Sequence, residues 1–345
     1  DHGVLPLLFA GDRLVSLHLL PKGPAVLDVY DTARDAVVRT LPLSEGFVNE
    51  PTGFMNPLLA SPDGTVVHLL WTLFDPETRT DRDAFVESWD LATGRHRVSP
   101  LGSRGINGAT VMKDGTIVVA TDDAVLAVDP ATLRVEHRTV RAVPSGLGAL
   151  SPDGRTLAVS AVVDGEPTDT FVLVDVASGV QAPAGGSHAA AIENIAFSPD
   201  GRSVVTTADD GNVIVWDGRS GARVETLSGH SGRVIGLAFS GDGRTVFTGG
   251  LDGAIFGWDL GTSDRFGRPF DAKGRSWARS DLDVPQLAVS SDGSRVALRT
   301  GPRRLAASSD PAGSDVTVDP GSAGRRRRRL PRGRRSAPTR CASRC

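Results

Sequence analysis

The chain has 345 residues, with 38 Lys plus Arg against 41 Asp plus Glu, and a formal net charge of −3. Both cysteines, Cys341 and Cys345, lie in the last five residues, so the rest of the chain has no disulfide framework and no thiolate metal site. No apolar run approaches the roughly 18 residues that a membrane span needs, and no hydrophobic leader opens the chain. We therefore expect a soluble, cytoplasmic protein without a membrane partner.

The charge is distributed unevenly along the chain. Residues 302–345 hold 12 Arg and 3 Asp, so this segment carries +9 and the preceding residues carry −12. Such asymmetry indicates either a basic interaction arm or a segment foreign to the fold.

An apolar strand that runs into a tight Asp-Gly or Gly-Asp turn recurs along the chain. Gly adopts positive φ without a steric clash while Asp hydrogen-bonds the turn backbone, so each copy predicts a β-hairpin. The aspartates of the seven turns, in chain order, are Asp12, Asp63, Asp114, Asp153, Asp200, Asp242 and Asp292.

After each of the first six turns come a second strand and a third strand that ends in an apolar or aromatic residue plus Asp. These endings are Tyr30-Asp31, Trp89-Asp90, Val128-Asp129, Val174-Asp175, Trp216-Asp217 and Trp258-Asp259. Four short strands in every 40 or so residues, without a helical period, predict a propeller blade. One blade cannot cover its own apolar faces, so the blades must pack against one another around an axis.

The sequence therefore predicts an all-β propeller of about seven four-stranded blades, the seventh incomplete. The predicted blades are 1–43, 47–103, 104–140, 144–184, 187–228, 229–274 and, in part, 284–300. Residues 301–345 are predicted to be an Arg-rich tail, either disordered or the product of a reading-frame slip, because the repeat pattern stops where Arg, Pro, Ser and Gly take over. The sequence is compatible with both a closed and an open ring.

Two consecutive repeats share a set of four polar and aromatic residues. The first set is His188, Thr206, Asp210 and Trp216, and the second is His230, Thr248, Asp252 and Trp258. The His-to-Trp separation is 28 residues in both. This arrangement resembles the WD40 repeat, which implies a buried structural tetrad. A buried indole N–H needs an acceptor, which the Thr hydroxyl supplies, and His then links that hydroxyl to the turn Asp.

The earlier repeats depart from this pattern. Trp89 has Asp83 six residues before it, but Arg79 takes the place of the hydroxyl residue. Val128 has Asp122 at the same spacing without a polar relay. We expect these blades to hold together by apolar packing alone.

A Ser/Thr, His and Asp set also occurs in hydrolases, but two features of this sequence argue against a catalytic role. No strained Gly-x-Ser-x-Gly elbow is present, and the set occurs twice at one period, as a scaffold element would. The five remaining histidines show no metal-ligand spacing, and no Gly-Lys-Ser/Thr phosphate loop occurs. We therefore predict no catalytic residue, no metal site and no cofactor.

The WD40 resemblance implies a binding platform for a protein or peptide partner on one propeller face. The candidate contact residues flank the tetrads, and they are Glu193, Asp209, Arg233 and Ile235. Residues 256–270 are similar to the blade ending of WD40 domains at the C-terminus of large bacterial STAND-type signalling ATPases and transcriptional regulators. That similarity implies an NTPase and a DNA-binding module upstream in the same polypeptide. Nucleic acid is expected only as a non-specific ligand of the Arg-rich tail.

Two other functions remain open from the sequence. A lactonase-like or quinoprotein-like propeller enzyme would need three or more carboxylate or imidazole groups at the mouth of the central channel. The propeller could also be the scaffold of a Ser/Thr kinase.

Overall fold

The computed structural model describes residues 7–18, 25–34, 36–44, 57–75, 80–140, 146–163, 166–261, 268–269, 286–290, 295–299, 305–308 and 315–318. Within these ranges the regular structure is β-strand, and none of it is helical. The strands form successive antiparallel sheets of four, in chain order. The predicted all-β propeller with four-stranded blades is confirmed.

The first three blades cover residues 7–140. Blade one contains β1 (Leu7–Ala10), β2 (Arg13–His18), β3 (Val26–Asp31) and β4 (Ala36–Pro42). Blade two contains β5 (Leu58–Ala60), β6 (Val66–Asp75), β7 (Thr80–Asp90) and β8 (His96–Pro100). Blade three contains β9 (Gly108–Val111), β10 (Ile117–Ala120), β11 (Ala124–Val128) and β12 (Val135–Val140).

The next three blades cover residues 146–269. Blade four contains β13 (Gly146–Leu150), β14 (Thr156–Val163), β15 (Glu166–Pro167), β16 (Val172–Asp175) and β17 (Gln181–Pro183), with β15 paired only to β14. Blade five contains β18 (Ile192–Phe197), β19 (Ser203–Ala208), β20 (Asn212–Asp217) and β21 (Arg223–Ser228). Blade six contains β22 (Val234–Phe239), β23 (Thr245–Gly250), β24 (Ile255–Asp259) and β25 (Arg268–Pro269).

A further sheet of four short strands follows these six blades. It contains β26 (Gln286–Val289), β27 (Val296–Arg299), β28 (Leu305–Ser308) and β29 (Asp315–Val318). Its inner strand β26 contacts both β1 and β22, so the sheet lies between the first and sixth blades and closes the ring of inner strands.

Two further strands lie beyond residue 300, where the sequence predicts the end of the partial seventh blade. Strand β28 pairs with β27, and β29 pairs with β28. The two strands are only four residues long and stand in an Arg-, Pro- and Gly-rich stretch, whose composition obscured their β-forming residues. The run of five arginines, 325–329, lies outside the described residues.

In most blades the same hydrogen bonds to the aspartate of the Asp-Gly turn hold the first hairpin. In blade two the Ser61 hydroxyl donates to Asp63 Oδ1 at 2.6 Å, and the backbone N–H of Thr65 donates to the same oxygen at 3.0 Å. Gly64 follows with φ of 68°, a conformation that glycine adopts without strain. Equivalent Ser-to-Asp hydrogen bonds occur at Ser151, Ser198 and Ser240.

The core consists of apolar clusters, each shared between two neighbouring blades. Val15 and Leu27 of blade one pack with Val67 and Trp89 of blade two in one such cluster. The second strands are buried on both faces, as in β10, where all four residues are buried. Full burial of one large apolar side chain stabilises the fold by roughly 1.5–3 kcal/mol, so every blade depends on both neighbours.

The inner strands of blades three and four approach each other so closely that one position excludes a side chain. A Cβ at Gly148 would lie 2.4 Å from the carbonyl oxygen of Asn107 and 2.9 Å from that of Ala158. Backbone atoms of neighbouring strands cannot give way as a flexible side chain can. The contact therefore requires glycine here.

We predict that Gly148→Ala lowers the free energy of unfolding by roughly 1–3 kcal/mol through overpacking. Gly186→Ala is the matched control, because its added Cβ would meet nothing closer than 3.6 Å. Thermal and denaturant unfolding followed by circular dichroism measures both variants. Equal midpoints for the two variants would contradict the proposed backbone contact.

Candidate functional site

The structure brings together the four side chains of the first predicted tetrad. Trp216 Nε1 donates to Thr206 Oγ1 at 2.8 Å, and His188 Nε2 lies 2.7 Å from the same hydroxyl oxygen. On the other side of the ring, His188 Nδ1 lies 3.2 Å from Asp210 Oδ2. The only assignment that satisfies each pair has the Thr hydroxyl donating to Nε2 and Nδ1–H donating to the carboxylate.

The second tetrad repeats this geometry one blade later. Trp258 Nε1 donates to Thr248 Oγ1 at 2.8 Å, and His230 Nε2 lies 2.9 Å from that oxygen. His230 Nδ1 lies 3.1 Å from both oxygens of Asp252. The sequence spacing thus predicts the contacts of both tetrads.

The aspartate of each tetrad also fixes two loops by accepting hydrogen bonds from their backbone. Asp210 accepts the backbone N–H of Ala189 at 2.8 Å and that of Asn212 at 2.8 Å. Asp252 accepts the backbone N–H groups of Ser231 and Ala254 in the same way, at 2.8 Å and 3.0 Å. The two carboxylates thus connect the turn after the second strand to the segment that enters the blade.

Burial and hydrogen bonding together determine the protonation of these groups. Desolvation lowers the pKa values of His188 and His230 below the ordinary 6.5, despite the opposing effect of their aspartates. Burial alone would raise the pKa of Asp210, but the hydrogen bonds from Ala189 and Asn212 together lower it. At neutral pH the tetrad therefore contains a neutral imidazole and an ionised carboxylate.

The tetrads do not have the geometry of a catalytic triad. Thr206 and Thr248 are fully buried, and each hydroxyl is already used by a tryptophan and a histidine. A nucleophilic hydroxyl must reach substrate, which these cannot. Within the described ranges, no three His, Cys, Asp or Glu side chains are grouped as a metal ion would require.

Blade two contains a buried polar network that the sequence did not predict. The Glu87 side chain is fully buried and accepts hydrogen bonds from Ser44 Oγ at 2.8 Å, Trp71 Nε1 at 3.1 Å and His96 Nε2 at 2.5 Å. Trp89 instead stacks on His96, with ring centroids 5.3 Å apart. Arg79, which the sequence placed at the hydroxyl position, lies outside the described residues.

Blade three also has a polar network, although Asp122 is the only tetrad residue that its sequence retains. Ser103 Oγ lies 2.6 Å from Thr121 Oγ1 and also donates to Asp123. Arg138 Nη2 donates to Asp123 Oδ2 at 2.7 Å, and its Nη1 donates to the carbonyl of Gly102 at 2.7 Å. The prediction that these two blades hold by apolar packing alone is wrong, because each contains a polar network built from residues outside the tetrad positions.

Three of the four candidate contact residues form one charged cluster that joins blades five and six. Arg233 donates to both carboxylate oxygens of Asp209, with 2.8 Å between Nη2 and Oδ2. The same Nη2 lies 3.5 Å from Glu193 Oε1. The Arg233 side chain remains 45% exposed, so its guanidinium can still reach a partner. The fourth candidate, Ile235, is buried at 7% exposure and lies below this surface.

The cluster changes the acidity of Glu193. Burial, together with the neighbouring Asp209, raises its pKa from 4.5 to about 7, although Arg233 acts in the opposite direction. The hydrogen bond that Arg233 donates to Asp209 in turn raises the pKa of Arg233. Glu193 therefore changes its charge near neutral pH while Arg233 stays positive.

The cluster lies on one defined face of the propeller. Because the four strands of a blade run antiparallel, the turns between second and third strands share a face with the connections between blades. Asp209 precedes β20, and Arg233 precedes β22, so both belong to this connector face. The Asp-Gly turns lie on the opposite face, which we call the turn face.

Comparison with known families finds two matches on these blades. Residues 185–217 and 221–259 match WD40, described as WD domain, G-beta repeat. Each of the two segments contains one complete tetrad. No curated protein matches the sequence. In the part of the chain that the structure describes, no helix has the length and apolarity to cross a membrane.

We predict opposite outcomes for two adjacent Thr-to-Val substitutions in β19. Thr206→Val leaves the indole N–H of Trp216 and Nε2 of His188 without a partner, so it should cost about 2 kcal/mol or more. Thr207 is equally buried, but its hydroxyl has no hydrogen-bond partner among the described residues, so Thr207→Val should be neutral or stabilising. Urea unfolding measures both. A cost at Thr207 as large as at Thr206 would contradict the tetrad assignment.

We predict that the ionisation of Glu193 lowers the free energy of unfolding as pH rises through neutrality. Between the ordinary pKa of 4.5 and the folded value of about 7, the folded chain holds a proton that the unfolded chain has released. The free energy of unfolding therefore falls with rising pH across this window. His188 and His230 act in the opposite direction below pH 6.5, because only the unfolded chain protonates them there.

The comparison of Glu193→Gln with the unsubstituted chain isolates the first effect. Melting temperatures between pH 5 and 8 should fall less in this variant than in the unsubstituted chain. Glu136→Gln, at an exposed residue of β12, is the control and should leave the profile unchanged. Superimposable profiles for Glu193→Gln and the unsubstituted chain would show that the cluster does not raise the pKa of Glu193 as described.

Proposed function

We propose that this β-propeller, with WD40 repeats as its fifth and sixth blades, is a non-catalytic platform that binds a protein or peptide partner on its connector face. The observation that carries the proposal is the cluster of Arg233, Asp209 and Glu193 across two blades. WD40 propellers generally bind protein partners and are typically scaffolds without enzymatic activity.

The surroundings of the cluster support a role in recognition. Asp209 is adjacent in sequence to Asp210, and Arg233 comes three residues after His230, so both rest on loops that the tetrads fix. Loops held on a rigid scaffold can present side chains with little loss of conformational entropy on binding. Arg233 contributes a planar, half-exposed cation, a group that is enriched at the centres of protein interfaces.

The wider context forms part of the same proposal. The similarity of residues 256–270 to the blade ending of bacterial STAND-type signalling proteins supports a cytoplasmic signalling or transcriptional regulatory protein. In that arrangement an NTPase and a DNA-binding module belong to the same polypeptide, and the propeller binds the partner or senses the signal.

The test compares two arginines on opposite faces. The tagged chain, its Arg233→Ala variant and its Arg202→Ala variant are cross-linked in a lysate of the source cells, and bound proteins are quantified by mass spectrometry. Arg202 pairs with exposed Asp200 in a turn on the turn face, so it is the matched control. A partner should be recovered with the unsubstituted chain and Arg202→Ala, and reduced severalfold with Arg233→Ala. Equal recovery with both variants, or none with the unsubstituted chain, contradicts the proposal.

A further inference from the structure

A cleft of about 320 Å³ lies between blades two and three on the turn face, opposite the Arg233 cluster. Its lining includes the Asp-Gly turns of both blades and the loop before β12. The side chains that the argument uses are Pro62, Asp63, His68, Lys113, Asp114 and Pro130.

His68 is a buried residue in the lining of this cleft. The residue is 1% exposed, and its Nδ1 lies 2.7 Å from Ser88 Oγ, whereas Nε2 has no hydrogen-bond partner among the described residues. A buried polar atom without a hydrogen-bond partner destabilises the fold, so a partner for Nε2 would be strongly favoured. Burial lowers the pKa of His68 to about 4, so the ring is neutral at physiological pH and does not repel a cation.

Two carboxylates stand at the same cleft. Asp63 and Asp114 use their Oδ1 atoms for the backbone of their own turns. Hydrogen bonds from Ser61 and Thr65 lower the pKa of Asp63 to about 2, and those from Thr116 lower the pKa of Asp114, so both are ionised at neutral pH. Lys113 is the opposing charge, which leaves the lining with an excess of one negative charge.

We propose that this cleft binds a lysine side chain of a protein partner. The ammonium group donates to Nε2 of His68 and to the outer carboxylate oxygens of Asp63 and Asp114, and its methylene stem packs on Pro62 and Pro130. Nδ1–H of His68 then donates to Ser88. A compact ammonium with three donors suits three separate acceptors, whereas a guanidinium needs a coplanar pair.

This site is independent of the proposed connector-face function. It lies on the opposite face and uses different blades. Loss of binding at Arg233 therefore leaves lysine binding here intact, and the two proposals can fail separately.

The experiment titrates the full chain with a short alanine-based peptide that carries one lysine and has both termini blocked. Binding is followed by the ¹⁵N chemical shift of His68 Nε2 and by calorimetry. The lysine peptide should bind saturably, with a dissociation constant roughly in the millimolar range. Acetyl-lysine and glutamate versions of the peptide should not bind.

Surface variants test the residues without disturbing the core. Asp114→Asn should weaken lysine binding roughly three- to tenfold, as removal of an exposed charge-assisted contact does, and Lys113→Gln should strengthen it. Asp200→Asn, in the equivalent turn of blade five, is the matched control and should change nothing. The proposal is overturned if acetyl-lysine binds as well as lysine, if the glutamate peptide binds instead, or if no peptide shifts the His68 resonance.

Discussion

Each sheet of this protein has two apolar faces, and the architecture depends on covering both of them. The clusters of buried side chains are therefore shared between blades. Val15 and Leu27 meet Val67 and Trp89, and at the other end of the chain Leu7 and Phe9 of blade one meet Ala288. The outermost strand of a blade has no such requirement, since it faces solvent. This is why β4 and β21 are largely exposed while β2 and β19 are almost wholly buried.

Polar groups inside this packing must find partners, and the blades do so in different ways. Blades five and six use a tryptophan, a threonine, a histidine and an aspartate, in that order. In blade two the buried Glu87 accepts hydrogen bonds from the side chains of Ser44, Trp71 and His96. In blade three hydrogen bonds join Ser103, Thr121 and Asp123. The common constraint is satisfaction of buried donors and acceptors, and the tetrad is one of several solutions to it.

The sequence predicts the features that depend on local spacing. The Asp-Gly turns, the strand order and both tetrads follow from residues within one repeat, and the structure contains them. Glu87 could not be assigned a role, because one of its partners, Ser44, precedes blade two and follows the last strand of blade one. Ile235 was expected on the surface, but its place in β22 buries it. Strands β28 and β29 escaped prediction because four-residue strands give little periodicity.

The closing sheet has a consequence for how the chain folds. Arg295, immediately before β27, donates a hydrogen bond to Thr32 across a separation of 263 residues. During synthesis the apolar face of blade one, which includes Leu14 and Tyr30, therefore stays uncovered until almost the whole ring has been translated. Long-range closure of this kind is slow, and exposed apolar sheet is prone to aggregation in the meantime. Emergence of β26 and β27 from the ribosome, rather than emergence of the first blade, thus sets the earliest moment at which the ring can become complete.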